Sequence, residues 1–273
     1  MGYLLAVLLG GFFAFNAAVT PQKAARVAEK ALQKQYPTAK VNVEIEGKRG
    51  KSVLNGNFRR VRIEIADVTL QDLPFSPLSA PKKLARAGKI ELEMRNLVWL
   101  GLPLSRANFD FDNVAYDFDA LKNRSQFQIV GMDSGKMRLQ LSAQSLKPSF
   151  EARLKDLEQV AISVEGDQFR LAAARDVVGF KTPIILTARL SGQSNQVRLE
   201  DPSVSVGGVK LPTMAASALL KDVNPVYTFD RDGKWPFAIS LTGVSGQGDM
   251  LNVEASLQLK RPEQNLGQAK QGQ

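Results

Sequence analysis

Alternation of apolar and polar residues dominates the chain from residue 41 onward. Val41, Val43 and Ile45 alternate with Asn42, Glu44 and Glu46, then Val61, Ile63 and Ile65 with Arg62 and Glu64, then Ile90, Leu92 and Met94 with Glu91 and Glu93. A period of two sends successive side chains to opposite faces, so each segment predicts a strand with one apolar and one wet face. The pattern returns at residues 109–118, 137–141, 160–164, 169–173, 184–190, 197–206, 237–241 and 251–259. Such strands pair antiparallel and need cover on one face only. Between Phe111 and Val114 the phase shifts, which predicts a bulge.

Helical spacing appears in three places. Thr20-Pro21 reads as an N-cap followed by proline at the first helical position, and Tyr36-Pro37 stops the helix near Gln35. Its apolar stripe is Ala24, Val27, Ala28, Ala31 and Leu32; small residues there allow close approach to a sheet, with Lys23, Arg26, Lys30 and Lys34 toward solvent. Leu146, Phe150, Leu154 and Leu157 predict a second helix beginning near Ser145. Met214, Ala215, Ala218 and Leu219 predict a third over residues 213–222, ended by Asn224-Pro225. Long strands with few helices define an α+β fold in which a long curved antiparallel sheet wraps around a few helices.

Ahead of these elements, residues 3–19 carry no charge. As a helix this run would reach roughly 26 Å, just short of a hydrocarbon core of about 30 Å. It reads as a signal peptide or an N-terminal membrane anchor, although no Lys or Arg precedes it. Lys23, Arg26 and Lys30 follow it and, counted strictly, favour cytoplasmic retention; long folded domains translocate largely regardless of such charges, and export is the reading adopted. The expected organisation is a leader or anchor at 1–19, one domain at 20–261 and a disordered Gln-rich tail at 262–273.

Composition narrows the chemistry sharply. The 273 residues include no histidine and no cysteine. That removes thiolate nucleophiles, disulfides, the commonest general base and the usual zinc ligands together. Glycine-rich stretches fail their motifs: Gly243-Val244-Ser245-Gly246-Gln247 lacks the last glycine of a nucleophile elbow, and Gly246-Gln247-Gly248 lacks the third glycine of a dinucleotide loop. The acidic ladder Asp110, Asp112, Asp117 and Asp119 lacks the spacing of a calcium loop, and alternation with Phe109, Phe111, Tyr116 and Phe118 reads it as the wet face of a strand pair. No enzyme, cofactor or metal site is expected.

The net charge of +9 is unevenly placed: residues 1–100 hold 16 Lys and Arg against 8 Asp and Glu. Lys48, Arg49, Lys51, Arg59, Arg60 and Arg62 form one cluster, and Lys82, Lys83, Arg86 and Lys89 a second. Single basic residues are usually solvated faces, but two clusters in one end favour contact with an anionic membrane surface. Aromatics able to stack bases are not interleaved, which argues against nucleic acid. The run Val98, Trp99, Leu100, Leu102 and Leu104 is denser than a half-exposed strand requires; ordinary core and a lipid-lined interior leave the same signature.

The order of these features resembles a known family. Residues 23–34 (KAARVAEKALQK), the strand at 41–47, Gly56-Asn57-Phe58-Arg59-Arg60-Val61, then Asn224-Pro225-Val226-Tyr227, Trp235-Pro236 and a closing hairpin through Gly248 resemble the LmeA-like phospholipid-binding proteins of bacterial envelopes, over roughly residues 21–260. The resemblance implies a fold similar to the tubular lipid-binding (TULIP) superfamily, phospholipid or another membrane lipid as partner, and no catalysis. On that basis Val27, Ala31, Trp99, Phe150, Leu154, Met214 and Leu219 are the candidate acyl-chain lining. Lys48, Arg49, Lys51, Arg59 and Arg60 are the candidate headgroup and membrane contacts. The expected setting is the cell envelope or periplasm. The alternative is an envelope scaffold or polymer-binding module with a solid core.

Overall fold

The structure, a computed structural model, describes residues 20–70, 81–99, 101–120, 128–154, 157–177, 179–230 and 235–260. The expected leader and tail lie outside the described residues.

Helix α1, Pro21–Gln35, forms where the cap chemistry placed it. Thr20 is extended and its Oγ1 accepts the Lys23 N–H at 3.3 Å, Pro21 opens the first turn, and Tyr36 closes the last. Ala24, Ala25, Ala28 and Leu32 are buried, and the helix lies against β1, Lys40–Glu46. The loop after β1 holds a single helical turn, α2, Lys51–Leu54.

Four long strands follow: β2, Phe58–Leu70; β3, Leu84–Trp99; β4, Leu102–Asp117; and β6, Ser134–Ser142, with the short β5, Ile129–Gly131, beside β4. Together with β13, Phe237–Gln247, and β14, Met250–Leu259, they form one sheet in the order β1-β2-β3-β4-β6-β14-β13. The strands bury most of the apolar set their alternation predicted, for example Val61, Ile63 and Ile65 on β2 and Ile90, Leu92 and Met94 on β3, while Val41, Leu241 and Leu259 at strand ends and edges are half-buried.

One pairing departs from expectation. β2 and β3 run parallel, Ile63 opposite Leu92, whereas the sequence reading made the sheet antiparallel throughout. Alternation cannot distinguish the two, because side chains alternate in both; residues 71–83 are long enough for the crossover of about a dozen residues that a parallel pair demands.

The sheet curls at residues in left-handed backbone conformation. Asp67 (φ 61°) and Asn96 (φ 49°) sit side by side, Asn96 Nδ2 donating to Asp67 Oδ1 at 3.2 Å, and both drop out of the β2–β3 register. Asn113 (φ 50°) sits at the predicted phase shift, where burial passes from Phe111 to Val114, and its Nδ2 donates to Asp133 Oδ2 at 2.6 Å. The expected bulge is not formed against β3: Lys89 faces Asp112 and Ala87 faces Val114 in one unbroken register. Asn and Asp tolerate this conformation better than other residues with a Cβ.

Residues 143–146 form a 3₁₀ turn that leads into α3, Lys147–Arg153. The second helix is therefore shorter than its apolar spacing implied, because Leu154 leaves the α region and ends it; Leu157 lies beyond. A second sheet follows, with β7, Glu158–Glu165; β8, Gln168–Val177; β9, Phe180–Gln193; β10, Gln196–Val206; and β11, Val209–Lys210, in the order β11-β10-β9-β8-β7, and β12, Tyr227–Thr228, beside β10. Two sheets thus replace the single wrapped sheet expected. They meet where Gly166 pairs with Gly246 and the Leu241 N–H donates to the Ser194 carbonyl at 2.7 Å, and they share one apolar core.

Helix α4, Thr213–Val223, packs on β10 through Ala216, Leu220 and Val223. This corrects the predicted stripe: Met214, Ala215 and Ala218 face solvent. The segment TMAASALL is apolar on nearly every side, so its period could not choose a face, and β10 chose it instead.

Candidate functional site

Of the segments that carried the family resemblance, Asn224 to Tyr227 and Trp235-Pro236 meet at one corner of the molecule. Residues 23–34, 41–47 and 56–61 lie on or beside α1, β1 and β2 at the other edge of the first sheet. Asn224 clamps β10: its Oδ1 accepts the Leu199 N–H at 2.9 Å and its Nδ2 donates to the Leu199 carbonyl at 2.8 Å. The Asn224-Pro225 bond is cis, and Arg153 Nη1 donates to the carbonyls of Val223 and Pro225 at 2.6 and 2.7 Å. Val226 is buried, its N–H on the Val197 carbonyl, and Tyr227 packs edge-on against Phe229 at 4.8 Å. Trp235 is fixed by its N–H to Asp230 Oδ1 at 2.8 Å, while Lys260 Nζ holds Asp230 Oδ2 at 2.7 Å.

From Trp235 a row of rings runs through the interior. Trp235 stacks on Trp99 at 5.2 Å, Trp99 meets Phe109 edge-on at 5.8 Å, Phe109 lies over Phe111, and Phe111 stacks on Phe237 at 5.4 Å. The Trp99 indole Nε1 is buried without a hydrogen-bond partner among the described residues. Beside this corner lies an open depression of about 500 Å³, with Leu102, Pro103, Gln144, Pro148 and Tyr227 on its walls. That volume falls within the range of small-molecule sites, but the depression is open to solvent rather than enclosed.

Of the candidate lining, the structure brings Trp99, Phe150 and Leu154 to this region. Trp99 pairs with Leu102 on the depression wall, and Phe150 follows the wall residue Ser149 in α3. Both rings are shut into the core: Trp99 is 4% exposed, and Phe150 is 2% exposed and stacked on Phe169 at 5.3 Å. Leu154 is half-buried against the core. Val27 also packs on the core, but on α1 against β1, the opposite edge of the first sheet from β13. Met214 is 85% exposed and lines no interior, a correction that follows from the shifted face of α4. The side chains of Ala31 and Leu219 lie outside the described residues.

The basic cluster divides in two. Lys48, Arg49 and Lys51 stand exposed in the loop after β1, without ion pairs among the described residues. Arg59 and Arg60 reach Glu46 at 3.8 and 3.7 Å, and Arg60 also binds Glu91 at 2.5 Å. Farther along the same face Glu93 collects Arg95 and Arg106 at 2.7 and 2.6 Å. Burial would push Glu91 up, but hydrogen bonds from Lys89 and Arg60 outweigh it and hold the carboxyl below its ordinary value. Much of the strand-borne positive charge is therefore neutralised locally, which sequence counting could not see.

The acidic ladder is not uniformly wet. Asp110 pairs with Arg138 at 2.9 Å and Asp112 accepts the Ser134 hydroxyl at 2.7 Å, but Asp117 is fully buried. Its carboxylate accepts the N–H groups of Lys82, Lys83, Asp119 and Ala120. Burial raises the Asp117 pKa, yet these amide bonds outweigh it and leave the group below its ordinary value. Among the described residues no group of three or more acidic side chains is placed to hold a metal ion.

The structure is thus a sheet-rich α+β architecture with a closed apolar core and an open depression at one corner. The LmeA-like phospholipid-binding family matches residues 16–256, most of the chain, and the protein belongs to that family. It is a lipid-binding family, not a known enzyme family. No curated protein and no solved structure gives a match.

Proposed function

We propose that this protein is a non-catalytic phospholipid-binding protein of a bacterial cell envelope, exported or N-terminally anchored, that holds acyl chains against its apolar interior and serves lipid transport or maintenance. The observation that carries the reading is the convergence of the family's motif residues, Asn224 to Tyr227 and Trp235-Pro236, on the corner where Trp99 and Trp235 stack beside the open depression. Acyl chains enter there by parting the packed rings.

The two tryptophans of the chain are Trp99 and Trp235, so selectively excited tryptophan fluorescence reports on this corner alone. Phospholipids brominated on the acyl chain should quench it, and native mass spectrometry of protein purified from envelopes should show bound lipid. Lipid-free protein whose fluorescence ignores brominated lipid defeats the proposal. It would favour the alternative, a scaffold or polymer-binding module, which draws support from the tight packing of Trp99 and Phe150.

A further inference from the structure

Among the described residues the three most exposed large apolar side chains are Met214, Phe180 and Val209, at 85%, 77% and 69%. They gather at one end of the second sheet. Phe180 follows Gly179 in the β8–β9 turn, Val209 follows Gly208 in the β10–β11 turn, and Met214 opens α4 directly after β11. This is the end away from the first sheet, which is met at Gly166 and Ser194 at the other ends of these strands.

The register shows what this end is made of. Val209 pairs with Val206 and Val206 with Ile184, and Ile184 lies four residues from Phe180 on β9, so all four share one face. The same face carries Leu186, Ala188, Leu190 and Val204, which are buried. Ile184 and Val206 are half-buried, and Phe180 and Val209 stand in solvent. The core therefore runs uncovered off the end of the sheet, because α4 covers β10 only from Ala216 onward.

The reverse face carries cations. Lys210 pairs with Ser205 and Ser205 with Ile185, four residues from Lys181, so both lysines lie opposite the apolar face. The two turns repeat one arrangement: Gly179-Phe180-Lys181 and Gly208-Val209-Lys210, with both glycines at φ 83°. Of the nearby acids, Asp176 accepts the Gly179 N–H at 2.8 Å and Glu158 pairs with Lys181 at 3.1 Å, which leaves Lys210 unopposed among the described residues.

We infer that this end, Phe180, Val209 and Met214 backed by Lys181 and Lys210, docks the protein on the surface of an anionic phospholipid bilayer. Apolar side chains on projecting turns enter the boundary of headgroups and acyl chains, and the lysine amines meet the phosphates. The inference rests on the lipid-binding reading and places membrane contact away from the basic loop at Lys48 to Lys51.

The chain has no cysteine, so Phe180→Cys gives a single labelling site in the full-length protein. A polarity-sensitive fluorophore there should shift to the blue on vesicles of phosphatidylcholine with phosphatidylglycerol, less on phosphatidylcholine alone. The triple variant F180S/V209S/M214S should keep its fold, since all three side chains are exposed, and partition onto the mixed vesicles about a hundredfold less. Unchanged emission, or a triple variant that docks like the parent, overturns the inference. So does loss of docking in K48E/R49E/K51E with the triple variant unaffected, or a blue shift that follows protein concentration without vesicles, which would assign the end to a second copy. Lipid co-purified with the triple variant separates the two readings: its presence preserves lipid binding whatever the docking result, and its absence from the parent protein defeats lipid binding itself.

Discussion

Replacing the fully buried Asp117 removes the acceptor from four backbone N–H groups. The bonds to Asp119 and Ala120 measure 2.9 and 3.2 Å, and those to Lys82 and Lys83 measure 3.2 and 3.4 Å, the last the weakest. Each buried donor left unpaired costs about 1–3 kcal/mol, so with two or three well-made bonds lost Asp117→Ala should destabilise the protein by about 3–5 kcal/mol. Asp117→Asn keeps one acceptor but turns an amide toward donors, and should cost about 2 kcal/mol. The folded-state pKa is depressed, so this contribution is present above the unfolded value of about 3.9 and is lost as pH falls through the folded value. Urea unfolding followed by circular dichroism, at pH 7 and in steps below pH 4, measures both effects. Asp110→Asn, on the half-exposed face, is the control and should change stability by less than about 0.5 kcal/mol. The reasoning fails if Asp117→Ala unfolds within about 0.5 kcal/mol of the parent, or if Asp117→Asn leaves the acid limb of the stability curve unchanged.

Phe150→Ala opens a cavity opposite Phe169 and should cost about 3–5 kcal/mol by the same unfolding assay, so a charged residue there unfolds the corner before it can report on lipid. Asn224→Ala breaks both bonds to Leu199 and should cost about 2 kcal/mol, with faster amide exchange along β10. Gly56→Ala meets two obstacles, φ 74° and a Cβ only 2.3 Å from the Phe118 ring, and should lower the melting temperature by several degrees, whereas Gly50→Ala, with open space around it, should lower it less. Met214→Ser should leave stability unchanged within about 0.5 kcal/mol; a larger loss would mean that α4 packs on its originally expected face.

Strand positions were legible in the sequence because alternation is a local signal: every segment read as a strand falls on one, overrunning it only at Gly47 and Phe118. The Phe111–Val114 phase shift located Asn113 in left-handed conformation, though the register with β3 there carries no extra residue. Helix α1 was equally legible, since Thr20, Pro21 and the stop at Tyr36 act within a turn of themselves. The lack of histidine and cysteine excluded whole classes of chemistry before any fold was known. What tertiary structure alone decided was who meets whom. Parallel pairing of β2 with β3, division into two sheets, the face of α4 and the burial of Asp117 all depend on partners distant along the chain, and alternation gives the same pattern whichever partner is chosen. Asn224 and Trp235 were visible as motif residues, but their meeting with Trp99 and Arg153 at one corner is a long-range contact that local spacing cannot encode.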